Sequence, residues 1–573
     1  MSIRFAIPQE LRSAVDEAAA DWQSNGKVDR FWQHDSTLWT HDDEEKWMGW
    51  LDIVDRQQTD IGTFAALAGE IKSADFQTVL LIGMGGSSLC PEVLAKTFGR
   101  QPEFPGLRII DSTDPVQVWE VRNEVNLPDT LIVVASKSGT TLEPNILKQY
   151  FFEQMKVAVG DDAGSHFIAI TDPGSKMEQV AKDGNFRYIF YGDPAIGGRY
   201  SALSNFGVVP ATLAGLHIGK LLEEAGKATA QARLAVDSNP AVRLGLLLGT
   251  AHNAGRNKIT FFTSPEVNDF GAWLEQLIAE STGKLGKGIT PVDREAIGPP
   301  PVYGNDRVFA YIKFAGTSDS SQDAAVAALE AAGHPVVYVE VSDLYELFGQ
   351  IFSWEIATAV AGSVMGINPF NQPDVESAKI ETRTLTSEYE KTGTLPVREP
   401  VLVDNGVKLY ATPTYAATLK AAAPAQTLAG YLRAHLSQIH PGDYFATLAF
   451  LPMFEDHERV IQGFRHKVRD SKRVATCLGF GPRFLHSTGQ DYKGGPNTGV
   501  FLQITADHAR DVAIPGQRYS FGIVIDAEAA GDLAVLESRG RRALRVHLGA
   551  DLKIGLDALS AAFDEALNIG AQY

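Results

Sequence analysis

The chain has 573 residues, of which 44% are hydrophobic, and its formal net charge is -19 at pH 7. A chain of this length predicts two to four domains, because single hydrophobic cores stop growing at about 250–300 residues. The negative charge argues against a general nucleic-acid or membrane-surface binder, since such proteins usually carry basic patches. An anionic substrate would therefore need positive groups concentrated at one place.

Two cysteines, Cys90 and Cys477, lie far apart in the sequence. This spacing favours two buried, reduced thiols over a disulfide or a metal site. Residues 1–8 lack the apolar stretch of a signal peptide, and no later run reaches the roughly 18 apolar residues that span a bilayer. We therefore expect a soluble, cytoplasmic protein that binds neither nucleic acid nor membrane and holds no metal.

The pattern of apolar residues divides the chain into four segments. Residues 1–72 predict an N-terminal helical segment with spaced tryptophans. In residues 73–235 and 236–390, short apolar runs alternate with amphipathic stretches, which is typical of α/β domains with a doubly wound parallel sheet. Residues 391–573 start with a linker and predict a C-terminal α/β unit. The predicted strands are 79–82, 107–110, 131–135, 167–170, 188–190, 258–263, 307–314, 335–341, 407–411, 444–450, 473–478 and 499–504.

A glycine-rich loop, Gly-Met-Gly-Gly-Ser-Ser, follows the first predicted strand at residues 83–88. Glycines such as Gly86 let the backbone approach a ligand, and the following helix start favours an anion. Ser87 adds a hydroxyl donor. Alone, the pattern also fits a dinucleotide loop or a tight turn, although the third glycine of the dinucleotide fingerprint is absent at its usual spacing.

A second polar loop follows the predicted strand 131–135. Open α/β sheets place ligands at the carboxyl ends of their strands. Hydroxyls without carboxylates suit the oxygens of a monophosphate, whereas the alternative is an ordinary helix cap rich in serine and threonine. Two such loops in one sheet favour the phosphate site. The predicted ligands in this loop are Ser136, Lys137, Ser138, Thr140 and Thr141.

Glu280 stands at the end of a predicted helix, directly before a turn rich in glycine and lysine. Gln276 lies one helical turn earlier and shares a face with Glu280, so it could orient this carboxylate or the substrate. Lys284 and Lys287 follow, and together the pattern indicates a base beside an anionic substrate. The alternative is a solvated glutamate at a helix end, which is the usual position of this residue type.

Five motifs together resemble the glucose-6-phosphate isomerase family, whose phosphosugar-binding fold is the sugar isomerase (SIS) domain. They occur in the family's order, over about residues 75–385. The resemblance implies two SIS domains and an aldose–ketose isomerase that interconverts glucose 6-phosphate and fructose 6-phosphate through a cis-enediol, with no cofactor. It also implies a homodimer. The motifs are 83–87, 136–141, 197–204, 275–288 and 368–379.

The resemblance also implies roles for single residues. Glu280 would be the base that moves the proton, and a base of this kind works best when it is partly desolvated. Arg199 would stabilise the enediolate. Lys379 would assist opening of the cyclic sugar, and Gln372 would contact the substrate. The alternatives are a structural ion pair for Arg199 and an ordinary exposed helix residue for Lys379.

The chain departs from the family at the histidine that opens the sugar ring, because no histidine lies between Glu280 and His334. The motif Leu-His-Ser-Thr-Gly-Gln occurs instead at residues 485–490. We hypothesise that His486 supplies the missing acid/base group from this displaced position. The alternative is a loop histidine that bonds to the backbone. The surrounding segment resembles the C-terminal part of transaldolase–glucose-6-phosphate isomerase fusions, which predicts a stand-alone version of their isomerase half.

Three other functions remain open on the sequence alone. One is an isomerase that also accepts mannose 6-phosphate, which could differ in one or two pocket residues. Another is a non-catalytic phosphosugar-binding SIS protein, which would need the two loops but not Glu280, Arg199 and Lys379 together. The third is a nucleotide-dependent dehydrogenase. No basic DNA-recognition segment accompanies the loops, which disfavours a phosphosugar sensor that binds DNA.

Overall fold

Three mostly parallel β-sheets form the framework of the protein. The computed structural model describes residues 2–317 and 319–568. Within these residues no helix combines the length and the apolar character that a membrane crossing requires.

The N-terminal segment contains a strand as well as helices. The strand is β1 (Ser2–Ala6), and the helices are α1 (Gln9–Ser24), α2 (Lys27–Trp32), α3 (Ile53–Thr59) and α4 (Ile61–Ser73). The side chains of Trp22 and Trp50 are buried in a hydrophobic core that also contains side chains from the first two sheets. A strand that the sequence did not indicate therefore precedes the predicted helices.

The first sheet contains five strands. They are β2 (Thr78–Ile82), β3 (Gly106–Ile110), β4 (Thr130–Ala135), β5 (Phe167–Thr171) and β6 (Tyr188–Tyr191). All neighbours are parallel, in the order β3-β2-β4-β5-β6. The strand order reverses between β2 and β4, and such a reversal opens a crevice at the carboxyl ends of the strands. The helices are α5 (Leu89–Phe98), α6 (Pro115–Glu124), α7 (Leu142–Val159), α8 (Lys176–Asp183), α9 (Asn205–Leu213) and α10 (Ile218–Ala232).

The second sheet repeats this parallel architecture. Its strands are β7 (Lys258–Thr263), β8 (Thr290–Val292), β9 (Arg307–Phe314) and β10 (Val336–Val341). The order is β1-β10-β9-β7-β8, and only β1 runs antiparallel to its neighbour. The helices are α11 (Pro240–Asn253), α12 (Phe270–Thr282), α13 (Ser320–Ala331), α14 (Glu346–Met365) and α15 (Val375–Thr392).

The third unit has a mixed six-stranded sheet. Its strands are β11 (Leu402–Asp404), β12 (Val407–Tyr410), β13 (Tyr444–Ala449), β14 (Ala475–Phe480), β15 (Gly499–Thr505) and β16 (Arg542–His547). The order is β11-β12-β16-β15-β13-β14, and the four strands from β16 to β14 are parallel. The helices are α16 (Pro413–Ala422), α17 (Leu428–Leu436), α18 (Glu455–Lys472), α19 (Gly489–Gly494), α20 (Phe521–Ser538) and α21 (Leu552–Ala566).

The third unit packs against both other units. Phe521 and Val524 join the core on one face of the first sheet, and Val292 of the second unit joins the core around Tyr444. The Arg483 guanidinium donates hydrogen bonds to Glu92 at 2.6 Å and to Asp111 at 2.8 Å, both in the first unit. These contacts fix the segment after β14 above the first sheet.

The predicted α/β class with mostly parallel sheets is confirmed. Each predicted strand overlaps an observed one, whereas β1, β8, β11 and β16 were not predicted. Two of the four have only three residues, and β16 reads Arg-Ala-Leu-Arg-Val-His, in which charged residues interrupt the apolar run. Short or interrupted runs carry little periodic signal.

Candidate active site

The glycine-rich loop after β2 is pressed against two other segments. Gly85 has a positive φ of 55°, and a Cβ added there would lie 2.7 Å from Gln276 Nε2. A Cβ at Gly86 would lie 2.0 Å from the Gly198 carbonyl oxygen. Only glycine allows approaches this close. The loop therefore sits directly on the segment that carries Arg199 and on the helix that carries Glu280.

The polar loop after β4 leads into the N-terminus of α7. The Ser138 and Thr140 hydroxyls are 2.8 Å apart, and the Thr141 side chain, at the N-cap position, makes no capping hydrogen bond. Ser136 is buried, and its Oγ has no hydrogen-bond partner among the described residues. Unpaired hydroxyls beside a helix N-terminus are suited to binding an anion.

Lys137 lies in this loop, but its charge is already partnered. Its ammonium donates to Asp172 and, at 3.0 Å, to the Asp193 carbonyl oxygen. Burial raises the pKa of Asp172, while Lys137 opposes this shift. The sequence did not indicate that a carboxylate lies beside this loop. The groups left to bind an anion are therefore the hydroxyls and the N-terminus of α7.

Glu280 is held from two sides at the end of α12. Its Oε2 accepts a hydrogen bond from Gln276 Nε2 at 3.1 Å, and its Oε1 lies 3.4 Å from Arg199 Nη1. The Glu280 side chain is 13% exposed. The carboxylate is therefore oriented and largely desolvated, as a catalytic base requires.

The Arg199 guanidinium is buried and fixed by several acceptors. Its Nε donates to Ser281 Oγ at 2.7 Å, and its Nη1 donates to Gln372 Oε1 at 3.0 Å. Its Nη2 donates to the carbonyl oxygens of Pro369 at 2.7 Å and Asn371 at 3.0 Å. This single side chain joins the helix of Glu280 to the Asn-Pro-Phe segment before α15.

The two lysines after Glu280 do not face a substrate, contrary to the expectation. Lys284 is 1% exposed, and its ammonium donates to the Asn368 carbonyl oxygen at 2.7 Å and to Asn371. Lys287 donates to the Met365 carbonyl oxygen at 2.6 Å. Burial holds the pKa of Lys284 well below its usual value, and the nearby Arg199 charge adds to this effect. Both lysines hold the segment between α14 and α15.

His486 reaches the site from the third unit. Its Nε2 lies 2.6 Å from Oε1 of Glu143 in the first unit, and its carbonyl oxygen accepts a hydrogen bond from Gln276 at 2.9 Å. Glu143 lies in the first turn of α7, directly after the predicted phosphate loop, and it was not among the predicted site residues. Its burial and its place at the start of α7 are known only from the structure.

These residues surround one cavity of about 370 Å³. Every predicted site residue lines it except Arg199, which lies buried behind Glu280, and Thr140, which lines an adjoining cavity. The Lys379 ammonium has no hydrogen-bond or ion-pair partner within the part of the chain that the structure describes. The residues that line the cavity are Gly86, Ser87, Ser136, Lys137, Ser138, Thr141, Gln276, Glu280, Gln372, Lys379 and His486.

Comparison with known proteins gives these residues a context. Residues 57–295 match the family model for phosphoglucose isomerase. A probable glucose-6-phosphate isomerase of Methanococcus maripaludis is 27% identical over 396 residues, which cover 62% of this chain and 89% of that protein. The glucose-6-phosphate isomerase of Prochlorococcus marinus is 34% identical over 246 residues, or 41% of this chain and 46% of that protein.

The chain is similar to glucose-6-phosphate isomerases, and the family model matches the part that carries both polar loops, Arg199 and Glu280. Two solved structures share its fold. A hypothetical protein from Thermus thermophilus matches with a TM-score of 0.57 and 22% identity, over 67% of this chain and 99% of that one. A glucose-6-phosphate isomerase from Chlamydia trachomatis matches with a TM-score of 0.50 and 23% identity, over 59% of this chain and 74% of that one.

The phosphoglucose isomerase match covers only part of the site. It includes both polar loops, Arg199 and Glu280, but it ends before Gln372, Lys379 and His486. These three residues join the site through its geometry, since all of them line the same cavity as Glu280. The third unit also contributes to the site, because its His486 contacts Glu143 in the first unit.

Proposed function

We propose that this chain is an aldose–ketose isomerase that interconverts glucose 6-phosphate and fructose 6-phosphate through a cis-enediol. The observation that carries the proposal is the position of Glu280, which is fixed between Gln276 and Arg199 at the wall of a cavity lined by two hydroxyl-rich loops. A base and an anion site on the wall of the same cavity match a substrate that carries both a phosphate and a reacting carbon pair.

The phosphate would bind at the start of α5 and α7. Ser87 precedes α5, and the loop from Ser136 to Thr141 precedes α7. Backbone N–H groups at helix starts have no intrahelical acceptor and favour anions. Because Lys137 is paired with Asp172, the hydroxyls and these N–H groups would provide most of the binding.

The isomerisation needs one proton to move between adjacent carbons. In the aldose-to-ketose direction, the Glu280 carboxylate would take the proton from C2, which leaves an enediolate. A proton then passes from the C2 hydroxyl to the C1 oxygen, and the Glu280 carboxylic acid returns its proton to C1, which gives the ketose and restores the carboxylate. The oxygens of the enediolate carry the negative charge that develops. Arg199 lies 3.4 Å from Glu280 and is held rigidly, so its positive charge would stabilise this intermediate without reorganisation.

Ring opening needs a second acid/base group near the ring oxygen and the C1 hydroxyl. His486, with Glu143 at 2.6 Å, and Lys379 line the same cavity as Glu280. We propose that His486 and Lys379 transfer these protons, and that Gln372, which is held by Arg199, contacts the substrate. No step in this scheme draws on a metal or an organic cofactor.

With this function we also propose a ligand, a location and an oligomeric state. The protein binds a small phosphosugar, and it binds neither nucleic acid nor a membrane. We propose a cytoplasmic homodimer, as the family resemblance implies. A second subunit is not needed to supply the histidine, because His486 of the same chain contacts Glu143.

A coupled assay that follows glucose 6-phosphate formed from fructose 6-phosphate tests the function. The wild-type chain should turn over, and Glu280→Gln should lower kcat by about 10²- to 10⁴-fold, the usual contribution of general acid–base catalysis. Glu388→Gln, on the exposed side of α15, is the matched control and should retain wild-type activity. If Glu280→Gln keeps wild-type activity, Glu280 is not the base that moves the proton.

A further inference from the structure

Gln490 of α19 is fully buried between the helices that carry Glu280 and Lys379. Its Nε2 donates to the Gly283 carbonyl oxygen at 2.8 Å and to Asp374 Oδ2 at 2.7 Å. Gly283 directly follows α12, and Asp374 directly precedes α15. One side-chain amide in the third unit therefore bonds to the end of one catalytic helix and to the start of the other.

The amide oxygen of Gln490 caps α15. It accepts hydrogen bonds from the backbone N–H groups of Asp374 at 3.0 Å and Val375 at 3.1 Å. The first N–H groups of a helix have no intrahelical acceptor, and the Asp374 side chain makes no capping hydrogen bond. The third unit thus supplies the acceptor that this helix lacks, and the side chain of Gln490 uses both of its N–H donors and its oxygen.

The helix that carries Gln490 is packed closely against the turn after Glu280. A Cβ added at Gly283 would lie 2.2 Å from Asp491 Cα, and one at Gly494 would lie 2.6 Å from the Gly283 carbonyl oxygen. Short helix α19 is therefore wedged against the turn after Glu280. A change in the position of α19 must shift either that turn or the start of α15.

We propose that Gln490 is a positioning residue for the isomerase reaction, which sets the placement of Glu280 relative to Lys379. This inference rests on the proposed function. Glu280 lies three residues before Gly283, and Lys379 lies four residues after Val375, one helical turn from the capped N–H. Both catalytic side chains are thus within about one turn of an atom that Gln490 holds, although Gln490 does not line the cavity.

Substitution of Gln490 would release both helix ends. Gln490→Met keeps a similar volume but removes every hydrogen bond, so the Gly283 carbonyl and two N–H groups would lose their partners. Misplacement of a catalytic group by about 1 Å can cost about 10²-fold in rate. We expect kcat for fructose 6-phosphate to fall at least about tenfold while KM changes less, because the phosphate loops are not touched.

Gln503 is the matched control. It is also fully buried, but its side chain bonds only within the third unit, to Ala529, Asp532 and Arg545. Gln503→Met should lower the melting temperature by an amount similar to Gln490→Met but leave kcat at the wild-type value. Gln490→Asn and Gln503→Asn form a second, milder pair, because asparagine stays polar but is too short to bridge the two helices.

The experiment compares kcat, KM and the melting temperature of the four variants with wild type. A selective loss of kcat in the folded Gln490 variants supports the positioning role. Wild-type kcat in both Gln490 variants, or an equal loss in the Gln503 variants, overturns it. Failure of both Gln490 variants to fold also overturns it, because the residue would then be structural. If the wild-type protein itself does not isomerise fructose 6-phosphate, the proposed function fails instead.

Discussion

The Nε2 atom of His486 lies 2.6 Å from the Oε1 atom of Glu143. Burial alone would raise the pKa of Glu143, but the charge and the hydrogen bond of His486 outweigh burial, and the pKa lies below its ordinary value. An ionised carboxylate can only accept, so the imidazole Nε2 carries a hydrogen in this pair. Glu143 thereby fixes the ring orientation and tautomer of a histidine that the third unit supplies.

His486→Gln should depress turnover of the cyclic sugar far more than turnover of an open-chain analogue. The physical reason is that only the cyclic substrate needs ring opening, and loss of a general acid/base typically costs about 10²- to 10⁴-fold. The measurement is kcat/KM for both substrates in the same coupled assay. Equal losses on the two substrates would remove His486 from ring opening.

Glu143→Gln should show the same substrate dependence as His486→Gln, with a smaller loss. The glutamine keeps the size of the side chain but removes the carboxylate that fixes the tautomer and the orientation of the imidazole. The double variant should be no worse than His486→Gln alone, since residues that act as a unit are not additive. Additive losses in the double variant would show that the two residues act separately.

Arg199→Lys should lower kcat by about 10²-fold, because the fixed positive charge behind Glu280 would be displaced and the Glu280 carboxylate would lose part of its support. Lysine keeps the charge but cannot form the forked contacts that Arg199 makes with Ser281, Gln372 and two carbonyl oxygens. Steady-state kinetics measure the loss, and circular dichroism checks the fold. A kcat near that of wild type would mean that a positive charge at this position supports catalysis without the fixed geometry of the guanidinium.

A mixture of Glu280→Gln and His486→Gln chains, refolded together, should stay inactive. Both residues line one cavity within a single chain, so a hybrid dimer would contain no intact site. If the histidine came from a second subunit, hybrids would carry one intact site each and random pairing would restore roughly a quarter of the activity. Restored activity in the coupled assay would therefore show that the site is shared between subunits.

The framework of the site could be predicted from sequence because its signals are local. The apolar runs before Gly83 and Ser136 predict buried parallel strands, and ligand loops follow such strands at a known edge of the sheet. The observed strands β2 and β4 end directly before these loops. The helical spacing of Gln276 and Glu280 likewise corresponds to a hydrogen bond of 3.1 Å in the structure.

Contacts between distant parts of the chain could not be predicted. Lys284 was expected beside the substrate, but it is buried against Asn368, 84 residues away. Glu143 and His486 meet although 343 residues separate them. Neither the direction of a side chain in a turn nor the docking of a third unit has a periodic signature, so both need three-dimensional information.

Glu355 gives a pH-dependent prediction for stability. It is 0% exposed in the apolar helix α14, and neither carboxylate oxygen has a hydrogen-bond partner among the described residues. Burial raises its pKa well above the ordinary value. The folded protein therefore keeps a proton on Glu355 at pH values where the unfolded chain, with a pKa of about 4.3, has lost it. The folded state then binds more protons, so stability falls as pH rises above that value, by up to about 1.4 kcal/mol per pH unit.

Glu355→Met should remove this dependence, because it replaces the unpaired carboxyl group with an apolar side chain of similar size. The difference in melting temperature, Glu355→Met minus wild type, should therefore be larger at about pH 8 than at about pH 5, because only the wild-type protein loses stability through Glu355 as the pH rises. Thermal unfolding followed by circular dichroism at both pH values measures the difference. Glu45→Gln, at an exposed position, controls for a general effect of removing one negative charge. A difference between Glu355→Met and wild type that is the same at both pH values would show that Glu355 does not take up a proton on folding.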